Sequence, residues 1–173
     1  MTIQISKPLI TEHPEYYRYY IGLVPSEDLI SELVNQRKLF ADFIDQLTPE
    51  KLNYRYAEGK WTIAQVIQHL LDTERIFSYR MLNFVRHGLM EIPGFNQNEF
   101  ADHVDSSLRS KQSFIEEFTA VRDSTIEFLK SLTVDETLLQ GKANNTLVSV
   151  RSMGYMAYGH IAHHARVIEE KYL

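Results

Sequence analysis

Cysteine is absent from the 173 residues, which excludes a disulfide framework and a thiolate metal site; any bound metal must take its ligands from His, Asp or Glu. The chain also has no stretch approaching the roughly 18 apolar residues of a membrane span. Its N-terminal "MTIQISKPLITEHPEYYRYY" lacks a basic segment followed by an apolar run, so no secretion signal is read there. Basic residues are the minority, 18 Lys and Arg against 23 Asp and Glu for a net charge of −5, and this argues against a protein that holds nucleic acid by neutralising phosphates. The expectation is a cytoplasmic protein that engages neither membrane nor nucleic acid. What is present is ordinary globular composition, 44% hydrophobic and 24% charged, with no disordered tail, repeat or low-complexity tract. One domain over residues 1–173 is expected, with residues 1–24 as an N-terminal arm.

Hydrophobic spacing predicts four long helices. The first lies between Pro25 and Leu47, with Leu29, Leu33, Phe40, Ile44 and Leu47 on one stripe. The second opens at Thr62, which with Gln65 forms a capping-box pattern, and runs to about Gly88 with Ile63, Val66, Ile67, Leu70, Phe77 and Met81 inward. "GLMEIPGFNQNEFADHVD" shows no clear period and reads as an unusually long connection. The third helix is expected from about Ser106 to Ser131, carrying Phe114, Phe118, Val121 and Phe128, with Leu132 beyond. Thr133 and Glu136 give a second capping box and a short helix, and the Gly and Asn residues of "QGKANNTL" mark a turn. The fourth long helix runs from about Ser149 to Tyr172. No segment alternates like a strand, so the fold class is all-α: an antiparallel four-helix bundle with a long connection between helices two and three.

The last helix carries His160, His163 and His164. Residues four apart are offset by about 40°, so His160 and His164 share a face one turn apart, the spacing of helical zinc sites. His163 lies about 60° from His160 on the other side, and spacing alone leaves that pairing open. A His pair near a chain end is more often a wet helix face than a metal site, so a third ligand must come from elsewhere. His69, flanked by Val66, Ile67 and Leu70, is the candidate; alone it reads more readily as a core histidine bonded to a carbonyl. His13, His87 and His103 fall in loops or near helix ends and receive no role.

"KWTIAQVIQHLLDTERIFSYR" and "NNTLVSVRSMGYMAYGHIAHHARVIEEKYL" resemble the two signature segments of the DinB/YfiT-like superfamily of four-helix-bundle metalloproteins. "PGFNQNEF", "EFTAVRDSTIEFL" and the closing "KYL" extend the resemblance over nearly the whole chain. In that family a Trp-Ser/Thr start leads into a helix with one His, and H-x-x-x-H on the final helix supplies two more. The resemblance therefore implies His69, His160 and His164 as the metal ligands. One departure is Ile161, where many relatives place a carboxylate; Asp72 and Glu74 are the nearest acidic replacements in sequence.

Three neutral imidazoles leave an open coordination position and an uncompensated divalent charge, the arrangement of catalytic rather than structural zinc sites. Zinc and nickel both suit imidazole. The resemblance further implies either a transferase that uses a low-molecular-weight thiol cosubstrate on a small electrophile or a metal-dependent hydrolase of a small molecule; a bundle that holds metal without turnover is the third class. No catalytic side chain is assigned. Arg75, Arg80, Arg86, Arg122 and Arg151 are candidates for a substrate carboxylate, each competing with an ion-paired or exposed reading. "EYYRYY" reads as an arm packed over the bundle or as pocket lining. A homodimer is the expected assembly.

Overall fold

The computed structural model describes residues 3–106 and 109–173. Its helices among those residues are α1 (Tyr17–Gly22), α2 (Leu29–Asp45), α3 (Pro49–Leu52), α4 (Ile63–His87), α5 (Gln97–Asp102), α6 (Lys111–Lys130), α7 (Val134–Leu138) and α8 (Val150–Lys171). Each long helix starts where a short polar side chain can accept from a free backbone N–H. Asp28 caps α2, Ser110 caps α6 and Ser149 caps α8. The Thr62–Gln65 box is present in full at α4, and the Thr133–Glu136 box at α7. The first helix thus begins at Leu29 rather than near Pro25. The third begins at Lys111 rather than Ser106, and two residues of its expected start, 107 and 108, lie outside the described residues.

The four long helices α2, α4, α6 and α8 form the bundle. Its neighbours are α2 with α6 and α8, and α4 with α6 and α8. Side-chain pairs give the directions. Along α4 and α6, Arg75 meets Glu117 and Ser78 meets Thr125, both numbers rising together, so this pair is parallel. Between α2 and α6 the order reverses: Lys111 meets Asp45 and Arg37 meets Asp123. The all-antiparallel expectation is therefore corrected. Helices consecutive in sequence point the same way at α4 and α6, and the chain must travel back past a 25-residue helix, about 37 Å long, before α6 can start. That return journey is the physical reason for the long connection.

The connection is not structureless. It holds β1 (Glu91–Ile92) and α5, and β1 pairs in parallel with β2 (Gln140–Ala143), which pairs antiparallel with β3 (Thr146–Ser149). Strands were not expected. The turn in "KANNTL" is a hairpin whose central residues Asn144 and Asn145 have φ of 52° and 61°, the positive values a two-residue I′ turn demands and Asn tolerates. Lys142 N donates to Met90 O at 2.7 Å and Asn144 N to Ile92 O at 3.0 Å, strapping the connection to the hairpin. Gly141 lets the hairpin close on α4, since a Cβ there would sit 2.1 Å from the Phe84 ring.

The described part of the arm packs over the bundle. Tyr155 donates its hydroxyl proton to Ile5 O at 3.1 Å, and Arg151 pairs with Glu12. Helix α1 lies against α8 at Gly159, where a Cβ would come within 2.1 Å of Tyr20 O. A glycine that weakens a helix interior is retained here for a close approach.

Two apolar clusters fill the bundle, one with Leu33, Phe77, Ile126 and Ala157, the other with Phe40, Leu71, Phe118 and Ile161. On every long helix a polar group sits between them. Arg122, fully buried, donates through Nε and Nη2 to Glu74 at 2.8 and 2.9 Å, through Nη1 to Gln36 at 2.7 Å and through Nη2 to Ala157 O at 3.1 Å. One guanidinium thereby ties α6 to α4, α2 and α8. No helix among the described residues is long and apolar enough to cross a membrane. Replacing Arg122 by Met should lower the urea-unfolding free energy by about 3–5 kcal/mol, because Glu74 is left charged and buried. Adding Glu74→Leu should recover much of the loss. A single variant within about 1 kcal/mol of the parent would show that the pair does not hold the bundle.

Candidate metal centre

His69 reaches the site from the early part of α4, His160 and His164 from the middle of α8. One nitrogen from each lies within 4.8 Å of the others. His69 Nε2 and His160 Nε2 are 3.1 Å apart, close to the about 3.4 Å that separates two nitrogens bound at about 2.1 Å to one tetrahedral ion. The ring centroids of His69 and His164 are 5.2 Å apart, those of His160 and His164 4.6 Å. His163 does not join them. It turns toward the arm, with Nδ1 3.4 Å from the Tyr19 hydroxyl and its ring edge-on to Tyr20.

The imidazoles are held neutral. Burial lowers His69 to about 4. Burial, then the neighbouring His69 and His163, lowers His164 to about 3. His160 falls well below its ordinary value for the same leading reason, with all three neighbouring histidines adding to it. Neutral imidazoles offer lone pairs, which is the state a metal requires. Thr73 Oγ1 stands 3.4 Å from His69 Nδ1; as acceptor of the Nδ1 proton it leaves the Nε2 lone pair directed at the other two rings. Three neutral and convergent nitrogen donors, His69 buried and His160 and His164 half-buried, without a carboxylate fit a divalent ion of imidazole preference.

A cavity of about 260 Å³ opens in front of His69 and His160, near the lower end of small-molecule pockets. Its walls come from the arm (Tyr16, Tyr17, Tyr20), α4 (Phe77, Arg80), the connection (Phe95) and the hairpin (Asn144). "EYYRYY" therefore both packs on the bundle and lines the pocket. Thr73 was not singled out from sequence, although its place one turn after His69 on the same face was a readable signal. Asp72 accepts from Gln68 at 2.9 Å and Glu74 belongs to the Arg122 pair. Neither hydrogen-bonds to the three imidazoles among the described residues. Of the five arginines, Arg75 meets Glu117, Arg86 meets Glu136, Arg122 meets Glu74 and Arg151 meets Glu12; Arg80 has no carboxylate partner among the described residues.

Because the folded histidines take protons only near pH 4 and below, while an unfolded histidine titrates near 6.5, the unfolded chain binds more protons between those values. Stability then rises with pH across that window. Chelator-treated protein should have its full melting temperature above about pH 6.5 and lose it progressively toward pH 4. His69→Gln should flatten that slope. An unchanged slope would place the acid sensitivity elsewhere.

The DinB superfamily profile matches residues 32–168. No curated protein sequence matches the chain significantly. Among solved structures, YfiT from Bacillus subtilis, described as a probable metal-dependent hydrolase with an unusual four-helix bundle topology, superposes with a TM-score of 0.71 at 18% identity, over 96% of this chain and 91% of that one. With the four helices, their order and the profile match in agreement, this chain belongs to the DinB superfamily.

Proposed function

We propose that the chain is a metal-dependent enzyme in which His69, His160 and His164 hold a divalent ion, zinc or nickel, and that it transfers a low-molecular-weight thiol to a small electrophilic substrate. The observation that carries this reading is the convergence of three neutral imidazoles, two of them, His69 and His160, lining a cavity that contains no carboxylate among the described residues. When bound, such an ion supplies Lewis acidity and lowers the pKa of a thiol or water at its open position. The residues supply the rest. Thr73 fixes the orientation of His69, the Arg122 girdle fixes α8 against α4, and Tyr17, Tyr20, Phe77 and Phe95 narrow the cavity and restrict water. A thiol is the better fit because its ordinary pKa of about 8.5 needs only a small shift to give thiolate near neutrality. Water at such an ion also reaches a pKa of about 7, but hydrolysis then needs a group to pass a proton to the leaving atom, and Ile161, Asp72 and Glu74 place no carboxylate on the cavity wall.

Hydrolysis is the second reading, favoured by the likeness to YfiT and its description as a probable metal-dependent hydrolase. Elemental analysis combined with a thiol and electrophile screen separates the two. The expected result is one ion per chain and a product that contains the thiol. His160→Ala and His164→Ala should each lose ion and activity together while far-ultraviolet circular dichroism stays that of the parent. His163→Ala should keep both within a few-fold, and Thr73→Val should weaken metal affinity by roughly tenfold or more. Turnover without thiol would replace this reading by the hydrolase. Loss of the ion in His163→Ala but not in His164→Ala would refute the ligand set.

A further inference from the structure

Among the described residues, the cavity contains one cation that no carboxylate balances. Arg80 is 5% exposed and lines the cavity wall. Its Nη2 donates to Pro93 O at 3.2 Å, and its Nε is a buried donor with no partner among the described residues. A buried guanidinium without a counter-charge is costly, and the other four arginines considered above all have a carboxylate. Burial pulls the Arg80 pKa down, and nearby Tyr17 and Tyr16 oppose that only in part.

Its place in the fold gives the isolation a meaning. His69 and Arg80 lie on one face of α4, about 20° apart and separated by about 16 Å of helical rise, with Thr73 and Phe77 between them. Helical side chains lean toward the N-terminus, which brings the guanidinium back along the cavity toward the histidines. The cavity therefore has two chemically different ends, nitrogen donors at one and a guanidinium at the other, with aromatic walls from Phe77 and Tyr17. The bond to Pro93 O orients the guanidinium in advance and fixes the start of the connection that forms the outer wall.

We propose that Arg80 recognises a carboxylate carried by the substrate, so that the ligand is an elongated small molecule with its reacting end at the histidines and its carboxylate on the part of the Arg80 guanidinium that lines the cavity. This rests on the reading that the histidine end performs the chemistry. A carboxylate suits the site better than a phosphate dianion, because one guanidinium balances one charge and the cavity offers no second cation among the described residues.

The test uses full-length protein labelled with ¹⁵N-arginine, titrated with 3-phenylpropionate, its neutral amide and inorganic phosphate, both chelator-treated and zinc-loaded. The acid should move the Arg80 Nε–H resonance and bind about tenfold or more tighter than the amide in both preparations. Arg80→Met should reduce the acid to the affinity of the amide, and Arg80→Lys should retain part of the preference. Equal binding of acid and amide, or an acid affinity unchanged by Arg80→Met, would overturn the proposal. So would phosphate binding tighter than the acid through Arg80. Acid bound only in zinc-loaded protein and independently of Arg80 would place the carboxylate on the ion, refuting this proposal and supporting the metal reading. Acid bound through Arg80 in protein that takes up no zinc would do the reverse. Should Arg80→Met fail to fold, the wild-type ratio of acid to amide and the Nε–H shift decide.

Discussion

The bundle depends on a charge placed where none is easily tolerated. Arg122 sits at full burial between two apolar clusters, and its hydrogen bonds reach Glu74, Gln36 and the Ala157 carbonyl, one group on each of the other three long helices. Apolar contact alone permits helices to slide by a turn at little cost, because one Leu or Phe replaces another. A buried guanidinium permits no such shift, since a change of register would leave it unpaired. Gln36 extends the constraint by donating to Tyr158 O at 3.0 Å, so the α8 backbone is held two residues before His160. The three-histidine cluster is thus placed by a polar layer beside it rather than by the histidines themselves.

From that layer the rest of the site follows. With α4 and α8 in fixed register, His69 faces His160 and His164. With α4 and α6 parallel, the connection must run back along α4, and in doing so it supplies Phe95 to the outer wall of the cavity. The hairpin then holds the connection in place through Lys142 and Asn144. The arm closes the remaining side because Gly159 lets Tyr20 approach α8. The bundle helices supply the histidines and one wall, through Thr73, Phe77, Arg80 and Met156, while the arm, the connection and the hairpin supply the others.

Much of this was legible in the sequence where the signal is local. The Thr62–Gln65 and Thr133–Glu136 boxes placed two helix starts correctly because capping is decided within four residues. The i,i+4 spacing placed His160 and His164 on one face, the apolar flanks of His69 made it the candidate third ligand, and the family resemblance implied the same residue. Directions were not legible: nothing in residues 88–110 announces that α6 runs parallel to α4, since that depends on partners distant in sequence. The strands escaped notice because they are two to four residues long and too short to alternate, although Asn144–Asn145 carried the turn chemistry of a hairpin. Five arginines looked alike in sequence. Only the fold shows that four of them meet carboxylates while Arg80 meets none among the described residues, because pairing is a property of tertiary contact.

The central claim is that one ion is held jointly by α4 and α8. It is tested most directly by diffraction from crystals grown with zinc, with anomalous differences collected at the zinc edge. A single strong peak is expected about 2.0–2.2 Å from one nitrogen each of His69, His160 and His164, with a remaining coordination position facing the cavity. A peak that takes His163 in place of His164, or no peak at the cluster while His69 Nε2 and His160 Nε2 stay in contact with each other, would contradict it.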